Sequence, residues 1–116
     1  MTPESEVLSA VLDYLAAVHV TAFRCNTGAV KIENRFIQFG VPGFADILAL
    51  TIMRGTFKGL PCSWTAPTFI EVKSATGRQS AEQKSFERQV KDAGAEYVIV
   101  RSVEDMEAFL KKNGII

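Results

Sequence analysis

This 116-residue chain has a single histidine, only two cysteines, no net charge and no long apolar run. Each scarcity excludes something. With His19 alone, neither a histidine-rich metal centre nor a histidine-based hydrolase motif can be assembled, and the work of a polar site falls to carboxylates. Cys25 and Cys62 lack CxxC spacing, so they read as reduced thiols. No segment approaches the ~20 apolar residues that span a bilayer, and no basic stretch leads into an apolar signal core, so the expected location is cytoplasmic, with no membrane partner. A net charge of zero removes any global argument for a polyanionic partner. What is present is ordinary: 47% apolar and 22% charged residues, enough for one core and one domain over residues 1–116.

The charges are unevenly placed. From Arg24 to Lys91 there are ten Lys or Arg against five Asp or Glu, while Glu4, Glu6, Glu96, Glu104, Asp105 and Glu107 lie towards the ends. The middle of the chain is therefore basic, more so if two of its acids are neutralised by a cation.

Element signals follow in order. Thr2-Pro3-Glu4 reads as a capped helix start, and Val7, Leu8, Val11, Leu12, Leu15 and Val18 keep helical spacing through His19. Glu6 sits at the edge of this stripe, from which it can face solvent or a site. Ala22 to Asn26 reads as a strand, and Lys31 to Phe39 as an extended segment with a turn at Asn34-Arg35. Gly40-Val41-Pro42-Gly43 forces a turn, a strand runs from Phe44 to about Met53, and Gly55 to Pro67, with two glycines and two prolines, reads as a loop. Thr68 to Lys73 is the next strand. Ser80-Ala81-Glu82-Gln83 is a capping-box start for a helix ended by Gly94. Tyr97 to Val100 reads as a buried strand, and Val103 to Lys112 as an amphipathic helix. The class is α/β, a central mixed β-sheet flanked by helices in the order αβββαβα, with room for one extra strand.

Three ionisable groups interrupt runs otherwise suited to burial: Asp46 in Phe44-Ala45-Asp46-Ile47-Leu48, and Glu71 and Lys73 in Phe69-Ile70-Glu71-Val72-Lys73. Buried charge is unfavourable unless it is paired or bound to metal. The period of two places Glu71 and Lys73 on one face and Val72 on the other. Two carboxylates and an ammonium converging on a sheet suit a hard divalent cation and an activated water.

Six segments carry a resemblance: Glu6 ahead of Leu12-Asp13-Tyr14-Leu15; Arg24-Cys25-Asn26-Thr27-Gly28; Phe39-Gly40-Val41-Pro42-Gly43-Phe44-Ala45-Asp46-Ile47; Glu71-Val72-Lys73; Gly77-Arg78-Gln79-Ser80-Ala81-Glu82-Gln83; and Val100-Arg101-Ser102. In this order they resemble a stand-alone, phage-type VRR-NUC domain of the PD-(D/E)xK nuclease superfamily over about Ser5 to Leu110. One departure falls in the element that names the family, where Ser102 replaces a second arginine.

The resemblance implies a PD-(D/E)xK nuclease-like core and a metal-dependent endonuclease that hydrolyses DNA phosphodiester bonds, selective for branched DNA such as four-way (Holliday) junctions, working as a homodimer in a bacterial or phage-infected cell. It implies Mg²⁺ or Mn²⁺ held by Asp46, Glu71 and the Val72 carbonyl with Glu6 as an additional ligand. Lys73 would hold or deprotonate the attacking water, and Gln83 would position the lysine or the water when not confined to its capping box. Arg24, Lys31, Arg35, Arg78 and Arg101 are the expected DNA contacts. The alternative is a catalytically silent nucleic-acid-binding module with a nuclease fold.

Overall fold

The computed structural model describes residues 2–25 and 28–116, with backbone alone for residues 28–32 and 36–39. Three helices, α1 (Glu4–Ala17), α2 (Ala81–Asp92) and α3 (Val103–Lys112), accompany six strands: β1 (Thr21–Arg24), β2 (Gly28–Ile32), β3 (Arg35–Phe39), β4 (Ile47–Phe57), β5 (Leu60–Val72) and β6 (Glu96–Val100). The main sheet has the order β1-β4-β5-β6, antiparallel except for the parallel β5–β6 pair, while β2 and β3 pair with each other. The parallel pair requires a crossover, and α2 provides it. This is the expected α/β class with a mixed sheet flanked by helices. Five strands precede α2, because the segment expected to begin at Lys31 is a hairpin that starts at Gly28.

Helix α1 begins one residue later than its sequence suggests. Pro3 is the N-cap, in extended conformation and without a side-chain hydrogen bond, so Thr2 does not cap it. At the other end His19 adopts φ 62°, donating its N–H to Ala16 O, and Val20 N–H reaches back to Leu15 O. His19 thus closes the helix through its backbone in a Schellman turn, a place usually taken by glycine. Gly94 and Gly114 close α2 and α3 with the same bond pattern.

The sheet separates two cores. Val7, Val11 and Leu15 of α1 and Met106 and Leu110 of α3 pack on Ile47, Ala49, Ile70, Val72 and Val100. On the opposite face, Phe86 and Val90 of α2 meet Ala45, Phe44, Phe69, Tyr97 and Ile99. Strand parity produces this division, since Val72 and Glu71 are adjacent in β5 and face opposite ways.

The largest departure from the sequence reading is the segment from Gly55 to Pro67, which is a long hairpin arm and not a loop. β4 and β5 stay in register from Ile47↔Ile70 out to Phe57↔Leu60, joined by the two-residue turn Lys58-Gly59 with φ 52° and 80°. Both positive angles fit a type I′ turn, whose twist matches the strands it joins. Its glycines and prolines suggest a loop, but proline is tolerated on an edge strand, and along the arm β5 pairs with β4 alone, its other edge meeting β6 only from Thr68. The turn expected at Asn34-Arg35 is displaced by one residue to Glu33-Asn34, between Ile32 and Arg35. The molecule measures 61 × 31 × 22 Å. Among the described residues no helix is long and apolar enough to cross a membrane.

Candidate active site

Asp46 immediately precedes β4, and its Oδ2 accepts the Val72 N–H at 2.8 Å, tying the start of one strand to the end of the next. Its backbone oxygen accepts from Cys25 N–H at 2.8 Å, which fixes the end of β1 as well. Gly43 sets the approach to Asp46: at φ 80° it lies so close to α2 that an added Cβ would come within 2.4 Å of the Glu82 carbonyl. The glycine-rich turn therefore brings the backbone against the first turn of α2.

Glu71 is fully buried on the α2 face of the sheet. Its Oε2 accepts Gln83 Nε2–H at 2.7 Å and lies 3.5 Å from Lys73 Nζ, and its Oε1 accepts Tyr97 O–H at 3.3 Å. Lys73, only 7% exposed, donates to Gln83 Oε1 at 2.8 Å. Gln83 makes two sets of contacts that the sequence offered as alternatives. While bridging Lys73 and Glu71 it completes the capping box, with Ser80 N–H donating to its Oε1 at 2.8 Å and its own N–H donating to Ser80 Oγ at 3.1 Å. Among the described residues no buried side-chain nitrogen or oxygen lacks a partner.

The electrostatics explain why this arrangement is under tension. Loss of solvent, followed by the negative charge of Asp46, pushes the Glu71 carboxyl up to about 7, against a partial opposing pull from Lys73. Burial and the nearby Glu71 charge also raise Tyr97, so its phenol remains a donor to the carboxylate. Two neighbouring carboxylates, Glu71 buried and Asp46 half-buried, repel each other in a way that a divalent cation would relieve. Among the described residues no three His, Cys, Asp or Glu side chains form a metal cluster. The available donors are Asp46, Glu71 and the Val72 carbonyl, all oxygen, and they fit a hard cation such as Mg²⁺, which takes few protein ligands and keeps several waters.

Other expected participants are dispersed. Glu6 lines a cavity with Arg101, Ser102 and Glu104 on another side of α1. Residues two apart on a helix point about 200° from each other, and it is Glu4 that lines the ≈240 Å³ cavity with Arg24, Asp46 and Val72. The Arg101 guanidinium clamps the loop after Lys73, donating to Ser74 O at 2.6 Å and Gly77 O at 2.8 Å. Ser102 caps α3 by accepting from Asp105 N–H at 3.1 Å. Arg35 and Arg78 are exposed at their turn and loop. The Lys31 side chain, and Asn26 and Thr27 entirely, lie outside the described residues.

The sequence reading missed Tyr97, Gln79 and Glu4. Tyr97 pairs with Phe69 in the β5–β6 register, so parity puts it on the Glu71 face. Gln79 supports it from the loop, its Nε2 donating to Tyr97 Oη at 3.3 Å and to Glu87 Oε1 at 2.9 Å. Glu4 had only its place in the first helical turn to mark it. Compared with known proteins, the chain matches no protein-family model and no curated protein.

Proposed function

We propose that this chain is a metal-dependent endonuclease that hydrolyses phosphodiester bonds of DNA, selective for branched forms such as four-way junctions and active as a homodimer. The observation that carries the reading is the buried Glu71, joined to Lys73 through Gln83 and facing the charge of Asp46. A buried ionic cluster of this kind is a poor stabilising device, and strongly perturbed carboxyls gather where chemistry is done. The PD-(D/E)xK likeness of the sequence supplies the reaction class, and the mixed sheet flanked by helices is compatible with it.

In this reading Asp46, Glu71 and the Val72 carbonyl hold Mg²⁺ or Mn²⁺, with Glu4 taking the supporting place expected of Glu6. The cation would lower the pKa of a bound water and neutralise charge on the scissile phosphate. Lys73 holds the attacking water and, when neutral, accepts its proton; the water oxygen bonds to phosphorus, one P–O ester bond breaks, and the departing oxygen is protonated. Gln83 fixes the Lys73 ammonium and the Glu71 carboxylate relative to each other. Arg24, Lys31, Arg35 and Arg78 contact the DNA backbone. Arg101 joins them with whatever donors its clamp on Ser74 and Gly77 leaves free. Two copies would place two sites for paired cuts across a junction.

Labelled duplex, flap and four-way junction DNA incubated with the protein and Mg²⁺, Mn²⁺ or EDTA tests the reading. Cleavage with either metal, abolished by EDTA and by Asp46→Ala, is expected. Binding without cleavage under every metal condition would instead favour the silent module.

A further inference from the structure

The hairpin arm lies outside the site and has no use in the chemistry above. Beyond Leu50, β4 has lost its neighbour β1, and before Thr68, β5 has not yet met β6, so the arm is a two-stranded ribbon with two open edges. Its faces are unusually apolar for an exposed ribbon. On the face continuous with the α1/α3 core, the register stacks Met53↔Trp64, Gly55↔Cys62 and Phe57↔Leu60, with no charged group among them. Phe57, Leu60 and Trp64 are 67%, 70% and 51% exposed, and Leu50 and Ile52 are exposed on the opposite face. Counted over both faces, these five side chains offer on the order of 500 Å² of apolar surface, and a stable interface of ~800 Å² per partner would need the strand backbone and neighbouring side chains besides.

The two edges are not equivalent. Pro61 and Pro67 have no N–H to offer a further strand, which blunts the β5 edge, whereas β4 carries no proline from Thr51 to Phe57. Arg54 and Lys58 are the only charged residues from Thr51 to Pro67, too few for a phosphate-tracking surface. The whole chain carries no net charge, so two copies approach without electrostatic repulsion.

We infer that the β4 edge of the arm, Thr51 to Phe57, is the self-association surface of this protein, pairing antiparallel with the same edge of a second copy. An edge strand paired antiparallel with itself is two-fold symmetric, so one sequence supplies both halves of the contact. An axis near Gly55 sets Met53 opposite the Phe57 position of the second copy and keeps the two Arg54 side chains from meeting. It also brings the tip of each arm to the root of the other, where Val18, Val20, Leu50, Ile52 and Ile115 are among the residues lining a cavity of ≈240 Å³. The site is thereby left open on the far side of the sheet's root. This assignment rests on the homodimer of the preceding reading and gives it an interface.

Sedimentation velocity on the full chain at micromolar concentration, without DNA or metal, tests it. A species of twice the 12.7 kDa chain mass is expected, and Phe57→Asp combined with Leu60→Asp should weaken self-association by on the order of 10²-fold with an unchanged circular dichroism spectrum. Amide exchange, compared at high and low concentration, should show protection gained from Thr51 to Phe57 and not from Pro61 to Pro67. A monomeric wild type, a dimer unaffected by the double substitution, or protection on the β5 edge would each overturn the inference. Loss of DNA binding with no change in self-association would also overturn it and make the arm a nucleic-acid surface. Junction cleavage is measured separately, so a monomer that cuts and a dimer that does not are distinct failures.

Discussion

Val72 and Glu71 are neighbours in β5, yet they belong to different kinds of protein interior. The Val72 side chain enters a core built mainly of Val, Leu, Ile and Met between the sheet and helices α1 and α3. Glu71 enters a compartment roofed by α2, where aromatic rings surround a carboxylate, an ammonium, an amide and a phenol. The two are equally buried. Burial alone therefore does not distinguish an apolar interior from one that holds a polar cluster; the number of polar groups that must be satisfied inside it does.

Substitutions on the two faces should separate stability from activity. The largest effect expected is on the α2 face: Glu71→Ala or Lys73→Ala should reduce cleavage by about 10³-fold or more, without additive loss in combination, because the residues act as a unit. Steady-state cleavage of junction DNA checks this, and near-wild-type rates in either variant would remove the site from the reaction. Lys73→Arg should bind DNA almost normally and still cut poorly, since a permanent cation cannot take a proton.

The opposite face should behave in reverse. Ile70→Ala opens a cavity in the dry core and should cost about 2–5 kcal/mol, read from urea unfolding. Its cleavage rate should stay near that of the wild type while the protein remains folded. Equal losses of stability from Glu71→Ala would erase the contrast between the faces.

A smaller effect concerns pH. Folded Glu71 keeps its proton up to about 7, whereas its ordinary value is 4.5. Between these values the folded state binds more protons than the unfolded state, so stability falls as pH rises and levels off above the window. The fall should amount to roughly 3 kcal/mol, Glu71→Gln should flatten it, and millimolar Mg²⁺ should offset it above pH 7. Denaturant midpoints across this range test all three. The smallest effect, about 1 kcal/mol, is expected of Ser102→Ala, which removes the side-chain cap of α3.

Much of this arrangement was legible in the chain because the responsible signals are local. The charged residues in the β4 and β5 runs, the capping box at Ser80 and the helical spacing of Val7, Val11 and Leu15 each depend on neighbours a few positions away. The arm was not legible for the opposite reason. Gly55, Gly59, Pro61 and Pro67 are ordinary loop residues, and only the unbroken pairing of β4 with β5 across many residues makes them strand. The place of Glu4 was hidden likewise, because Glu4 and Glu6 both flank the apolar stripe of α1 and only the docking angle of that helix puts Glu4 in a cavity with Asp46. Tyr97 needed the parallel register of β6 with β5 before its place beside Glu71 could be known.

Gln83 carries one further implication. A helix's first turn is ordinarily among the earliest parts of a structure to fray, but here the amide that closes the turn also holds Lys73 and Glu71. Fraying that carries Gln83 away from Ser80 would therefore also remove the bridge between Lys73 and Glu71. Amide exchange at the start of α2 would then serve as a gauge of how often Gln83 lets go of Lys73 and Glu71 in a protein at rest.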